Sequence, residues 1–444
     1  MPLTRRDLAT RSAATGAGGA PAGSAGGLAA APVAVAAGAG PATGAAAHGP
    51  GPGPLVPDPD GILALPAGFA YRLVTRADGT TPDSGEPTHH GGTGAFAGPP
   101  AATPLVDNHA SQSPRNDRPH PVPPAEEPVH EPAAAGGRTA VEVAPDGTPI
   151  GERVGLAGTS AHRAGGVTPW GTWLTCEKTE GRAGRRGMPR DHGHVFESDP
   201  HDLAEGRDPR PLKALGRFTH GAVAVDPRRG HLYLTEDADT PDGLFHRWTP
   251  PPGFHHGRGR LRTLAADAGV LAAARCYDSG GRFVAALSRV TRPGTVYGVD
   301  WIEVPDRDAR TVPVREQFDD GEITRAGKPE GMWWADGGAY LVFSRARGEG
   351  PGRRDGQVWF HDPSCRTLTL TLRFGVTPGP GRNGASDGPG APPHGGPVIT
   401  EDGESTGRAF SPDGRTLFIP LQEPGLMAAV TGPWHRQNRP GHRR

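Results

Sequence analysis

Large apolar side chains fall at every second position in HLYLTE (231–236) and AYLVFS (339–344), the period of a strand rather than a helix. Five phrases share one grammar: AVEVAPDGTPIGERV (140–154), GGVTPWGTWLTCEK (165–178), AVAVDPRRGHLYLTED (222–237), GMWWADGGAYLVFSRA (331–346) and AFSPDGRTLFIPLQEP (409–424). Each holds a short strand, a turn of Pro, Asp or Gly, and a second strand of β-branched and aromatic residues. The turn residues supply the positive or preset φ that a tight hairpin needs. Recurrence of one unit at irregular spacing predicts an all-β fold, a β-propeller whose blades are separated by insertions. A β-sandwich also uses many short strands, but nothing in it requires the hairpins to look alike.

Two stretches break the pattern. Residues 79–138 are rich in Pro, Gly and His with little apolar periodicity, which predicts a long excursion, and 378–397 reads similarly. The expected organisation is a leader over 1–47, an opening segment and excursion over 48–138, a propeller body over 139–436 with a strand contributed from 55–74, and a basic tail over 437–444.

Composition sharpens this picture. The 69 Gly and 51 Pro exceed a quarter of the 444 residues but concentrate in the aperiodic stretches, leaving the rest enough Val, Leu, Phe and Trp for a core. Only four Met, and long stretches without charged helix formers, argue against an α-rich chain. A net charge of −1 gives no electrostatic reason to expect nucleic acid as a partner. TRRDLA (4–9) ahead of a weakly apolar Ala/Gly run predicts a twin-arginine export signal, hence the export machinery as a partner and a secreted or cell-envelope location. The run is too poor in large side chains to span a membrane, and no other segment could.

Three cysteines are too few for a disulfide framework and odd in number. Cys365 sits in a turn phrase and is read as incidental. Cys176, by contrast, ends a strand beside Glu177. Glu236-Asp237 and Glu401-Asp402 end strands in the same way, and Glu330 precedes one. Carboxylates that converge hold hard cations, and a thiolate prefers softer iron or zinc, so these strand ends are candidate metal ligands. Single strand-end acids are more often solvated turn residues. The histidines of the aperiodic stretches (His89, His90, His109, His120, His130) are read as surface-loop residues, and His192 and His194 as structural.

The phrases GGVTPWGTWLTCE, GRFTH, AVAVDP, GHLYLTEDA, GLFHRWTP, KPEGMWWADGGAYLVFSRARGEG, GQVWFHDP and FSPDGRTLF resemble the PhoX-type alkaline phosphatases, over about 55–434. The resemblance implies a six-bladed propeller, exported folded, with an iron–calcium cluster that hydrolyses phosphate monoesters. It places the iron-ligating cysteine at Cys176, metal-binding carboxylates at Glu177, Glu330 and Glu401 (with Asp402 beside it), and a phosphate-holding cation at Lys328. The chain departs from the family pattern at three positions: Gly221 and Ala110 stand where a glutamate is usual, and Lys178 where a second acid is usual. The expected function is an exported metal-dependent phosphatase acting on small phosphate esters. The alternative is a catalytically silent propeller serving as an extracellular binding or scaffold protein.

Overall fold

The turn phrases form the tight turns expected of them. Asp336 and Gly337 both take positive φ, 54° and 78°, the pair a type I′ hairpin requires. Gly147 (φ 88°) closes the turn after Pro145-Asp146, its N–H donating to Ala144 O at 2.9 Å. The computed structural model describes residues 55–433 apart from 57, 61, 77–89, 99–101, 110–128, 135, 186–187, 202–208, 348–353, 377–408 and 422–425. Among these residues there is no α-helix, only strands and four short 3-10 turns.

In chain order, β1 (Leu55–Val56) and β2 (Leu65–Pro66) make a short ribbon ahead of β3 (Ala70–Arg76). A first four-stranded sheet follows: β4 (His90–Ala95), β5 (Thr103–His109), β6 (Gly136–Val143) and β7 (Pro149–Thr159). The second sheet has β8 (His162–Val167), β9 (Trp173–Glu177) and β10 (Val195–Ser198). The third has β11 (His220–Val225), β12 (Leu232–Glu236), β13 (Phe245–Thr249) and β14 (Val270–Tyr277), with the two-residue β15 (Phe283–Val284) beside β14. Next, β16 (Val296–Glu303) pairs with β14 on one side and β20 on the other. It thereby links the third sheet to β17 (Pro329–Ala335), β18 (Gly338–Arg347), β19 (Arg354–Asp362) and β20 (Thr367–Val376). Last come β21 (Ala409–Phe410), β22 (Thr416–Leu421) and β23 (Leu426–Thr431), and β23 pairs with β3. A strand from near the start of the chain thus completes the last sheet.

The sheets are stacked face to face around their first strands. Along β11, Val223 and Val225 enter one apolar layer with Leu174 and Val195 of the preceding sheet. Ala222 and Ala224, pointing the other way, enter a second layer with Met332, Leu341 and Trp359 of the following one. The period of two is therefore kept while both faces are buried, each large side chain contributing about 1.5–3 kcal/mol. The inner strands approach too closely for side chains. A Cβ on Gly166 of β8 would lie 2.0 Å from Val223 O of β11, and one on Gly221 of β11 would lie 2.7 Å from Pro329 O of β17.

This is the all-β, propeller-like arrangement anticipated from the repeats. Five such units lie among the described residues, and a sixth is not found among them. Two expectations need correction. Strands β4 and β5 lie inside 48–138, so the propeller body begins before residue 139. The sequence HGGTGA conceals a strand because β4 is an inner strand crowded by its neighbour: a Cβ on Gly91 would meet Arg163 O at 2.6 Å. His90, His109 and His130, expected on surface loops, are 3%, 6% and 3% exposed, the first two on β4 and β5. The leader, the basic tail, His89, His120, Ala110, Glu401 and Asp402 lie outside the described residues. No helix of the described residues is long and apolar enough to cross a membrane.

Candidate functional site

One end of the stacked sheets collects chemistry because of how their inner hairpins are registered. His90 opens β4 opposite His109, His162 opens β8 opposite Glu177, and His220 opens β11 opposite Glu236. In each case the ladder shifts just afterwards, and β17 carries the same irregularity between Pro329 and Gly331. Such bulges re-aim side chains at strand ends. Four hairpins therefore present histidines and acids at one end, with Lys178 and Asp237 one residue beyond β9 and β12.

Glu177 lies in a nest of donors. Its Oε1 accepts from Ser160 N (2.8 Å) and His192 Nδ1 (2.7 Å), and its Oε2 from Gly193 N (2.7 Å) and His194 N (3.1 Å). Burial alone would push its pKa up. The His192 hydrogen bond and the nearby imidazoles of His192, His162 and His130 outweigh that and bring it down to about 2. Burial also holds His162 and His194 near 4 and His220 near 3, so these rings are neutral. Glu236 is held similarly, by His246 Nε2 at 3.1 Å and Arg315 Nη1 at 3.3 Å.

The second cluster joins β9, β12 and β17. The Lys178 ammonium pairs with Asp237 Oδ2, and the Lys328 ammonium lies 2.6 Å from Glu330 Oε1. Lys328 takes φ 52°, a left-handed conformation that costs a non-glycine residue about 1 kcal/mol or more. The lysine side chains are 21% and 31% exposed and the two acids 3% each, so ammoniums form the rim and carboxylates the floor. The contact from Lys328 is an ion pair without hydrogen-bond angles. Both Glu330 oxygens and Asp237 Oδ1 are buried without a hydrogen-bond partner among the described residues. Burial and the charge of Asp237 raise Glu330 to about 7, against the pull of Lys328 and Lys178. Lys328 is raised despite its burial, by Glu330 and Asp237.

Of the residues expected in a site, Lys328 and Glu330 meet, and Glu177 lies at the same end in its own nest. Cys176 does not join them. Adjacent strand residues face opposite ways, and Cys176 falls on the side of Leu174, in the apolar layer with Val195, Leu212 and Phe218. Burial raises its thiol well above the usual range, which favours the neutral form. The donor set does not fit an iron–calcium cluster. The sulfur is enclosed in hydrocarbon, Glu177 is taken up by four donors, and lysines sit on the two remaining acids. A side chain at Gly221 would collide with Pro329 O, Thr235 Oγ1 and Glu330 O. Among the described residues no three His, Cys, Asp or Glu are grouped to hold a metal. Sequence reasoning named Asp237 among the converging acids and Lys178 as a cation in an acid's place, but missed their pairing and the roles of His162 and His220. For the histidines the signal was an opening His on a strand rich in Gly and Ala, in HGGTGA, HRAGGV and HGAVAV, three inner strands.

A family model described as alkaline phosphatase PhoX matches residues 51–149 and 147–389. Among solved structures, Pseudomonas fluorescens PhoX in complex with vanadate, a transition state analogue, is similar. It has 17% identity and a TM-score of 0.52, covering 83% of this chain and 96% of that one. The PQQ domain of pyranose dehydrogenase from Coprinopsis cinerea aligns with 12% identity and a TM-score of 0.29, covering 82% of this chain and 96% of that one. No curated protein matches the chain.

Proposed function

The chain belongs to the alkaline phosphatase PhoX family, and from that premise we propose that it hydrolyses phosphate monoesters at the end of the propeller where β9, β12 and β17 meet. In the reaction the ester P–O bond breaks, water supplies the new oxygen on phosphorus, and a proton from that water ends on the leaving alcohol. Charge builds on the phosphoryl oxygens. Preplaced cations in a partly buried site are effective there because they need no reorganisation as the charge grows. Lys328 holds one oxygen as a point charge, with Lys178 beside it.

The observation that carries this reading is the pair of rim ammoniums above buried acids, within a family of phosphatases. Iron and calcium, which the resemblance implies, would supply Lewis-acid charge to the phosphate. No step is assigned to them, because the donor set does not fit the cluster. The reading includes export by the twin-arginine route, motivated by the leader. Recovery of the full-length chain solely from the cytoplasm of its native host would contradict that part.

The test is turnover of p-nitrophenyl phosphate by the purified full chain, with and without added iron and Ca²⁺. Release of nitrophenol above the protein-free rate in either condition is expected. Silence in both would remove the enzyme reading and leave the binding or scaffold one.

A further inference from the structure

We propose that in this chain two lysine ammoniums replace divalent cations as the positive charge of the phosphate site, so that a phosphoryl oxyanion binds directly to Lys178 and Lys328 without metal. The inference rests on the phosphatase reading for its ligand. Its ground is the pairing itself.

Among the described residues, Asp237 and Glu330 are the acids left at the junction once Glu177 and Glu236 are taken up by their own donors. Each carries one ammonium in contact, so with both acids ionised the four groups sum to zero charge. A divalent ion entering here would have to displace both ammoniums or sit among them. The position where a further carboxylate could restore the balance, Gly221, has β17 backbone 2.7 Å from where its Cβ would lie. The substitution at Lys178 and the crowding at Gly221 thus act together, one adding positive charge and the other closing the space for negative charge.

What remains suits an oxyanion. Each ammonium has three N–H donors and meets one carboxylate here, so donors are left over. The ammoniums are the more exposed members of the two pairs, and an arriving phosphate meets them first. Beneath them, Glu330 Oε2 and Asp237 Oδ1 are buried with no hydrogen-bond partner among the described residues. A phosphate monoester monoanion has complementary groups, charged oxygens for the ammoniums and an acidic hydroxyl for a carboxylate.

The experiment combines elemental analysis of the full chain, purified without chelator, with thermal unfolding in inorganic phosphate, Ca²⁺ or EDTA. The expected results are iron and calcium far below one equivalent, a Tm unchanged by EDTA or Ca²⁺, and a Tm raised by phosphate. Lys178→Gln and Lys328→Gln should each weaken phosphate binding about tenfold or more. Lys178→Glu, which restores an acid beside Asp237, should gain a Ca²⁺-dependent rise in Tm that the parent lacks. Stoichiometric iron or calcium, or a Tm lowered by EDTA, overturns the inference on the unaltered protein, whether or not the variants fold. Turnover that requires restored metal overturns it too while leaving the phosphatase reading in place. Lysine-dependent phosphate binding without turnover upholds it and removes the enzyme.

Discussion

Glu177 is a fully buried carboxylate whose two oxygens are met by three backbone amides and the ring of His192. Its pKa lies near 2 in the folded chain against 4.5 when unperturbed. A depressed carboxylate contributes stability that is fully present above the unfolded value and is lost as pH falls from 4.5 toward 2. Glu177→Gln should therefore cost on the order of 3 kcal/mol at pH 7 in urea unfolding. The gap to the parent should shrink when the titration is repeated at pH 3; a gap that stays constant would contradict the assignment. Charge at this position was legible in the sequence, but its use was not. The phrase WLTCE hides which acids find donors across the sheet, because Ser160 and the 192–194 segment meet Glu177 only after β8 and β10 pair with β9. The fate of Cys176 was within reach of the alternation rule. Leu174 and Cys176 share a face, and that face is apolar.

At the level of elements, the inner strands decide both packing and site. Their glycines allow β8, β11 and β17 to lie nearly backbone to backbone, and this closeness brings the Lys178, Asp237 and Glu330 ends together. Gly166→Ala inserts a methyl group 2.0 Å from Val223 O, which is backbone and cannot swing away. The expected cost is about 2 kcal/mol or more, read as a lower midpoint in denaturant unfolding. An unchanged midpoint would mean the inner strands are farther apart than described. The hairpins β6–β7, β8–β9, β11–β12, β17–β18 and β21–β22 were readable because their turn residues and alternating large residues are local signals. The inner strand of the first sheet was not, since it is built mostly of Gly, Thr and Ala, which carry little apolar pattern. Its histidine, His90, looked like a loop residue for the same reason. The repeated bulge after His90, His162 and His220 is a property of pairing and has no signature within a single strand.

Across the whole molecule, the pairing of β3 with β23 joins the two ends of the described chain, and β16 links two units into one sheet. The repeats in the sequence were sufficient for the propeller, because stacking like units buries both faces of each sheet. The convergence of strand-end acids followed from that geometry and is found for Asp237 and Glu330. Of the two lysines that balance them, Lys178 departs from the family pattern and Lys328 follows it, and their partners lie 59 and 2 residues away. The account therefore turns on Lys328, which stands at the rim and pairs with the acid beneath it. The most direct measurement is kcat/KM for p-nitrophenyl phosphate, compared between the parent protein and Lys328→Gln at matched thermal stability. The account predicts measurable turnover by the parent and a loss of about a hundredfold or more in the variant. Equal rates in the two proteins would contradict it.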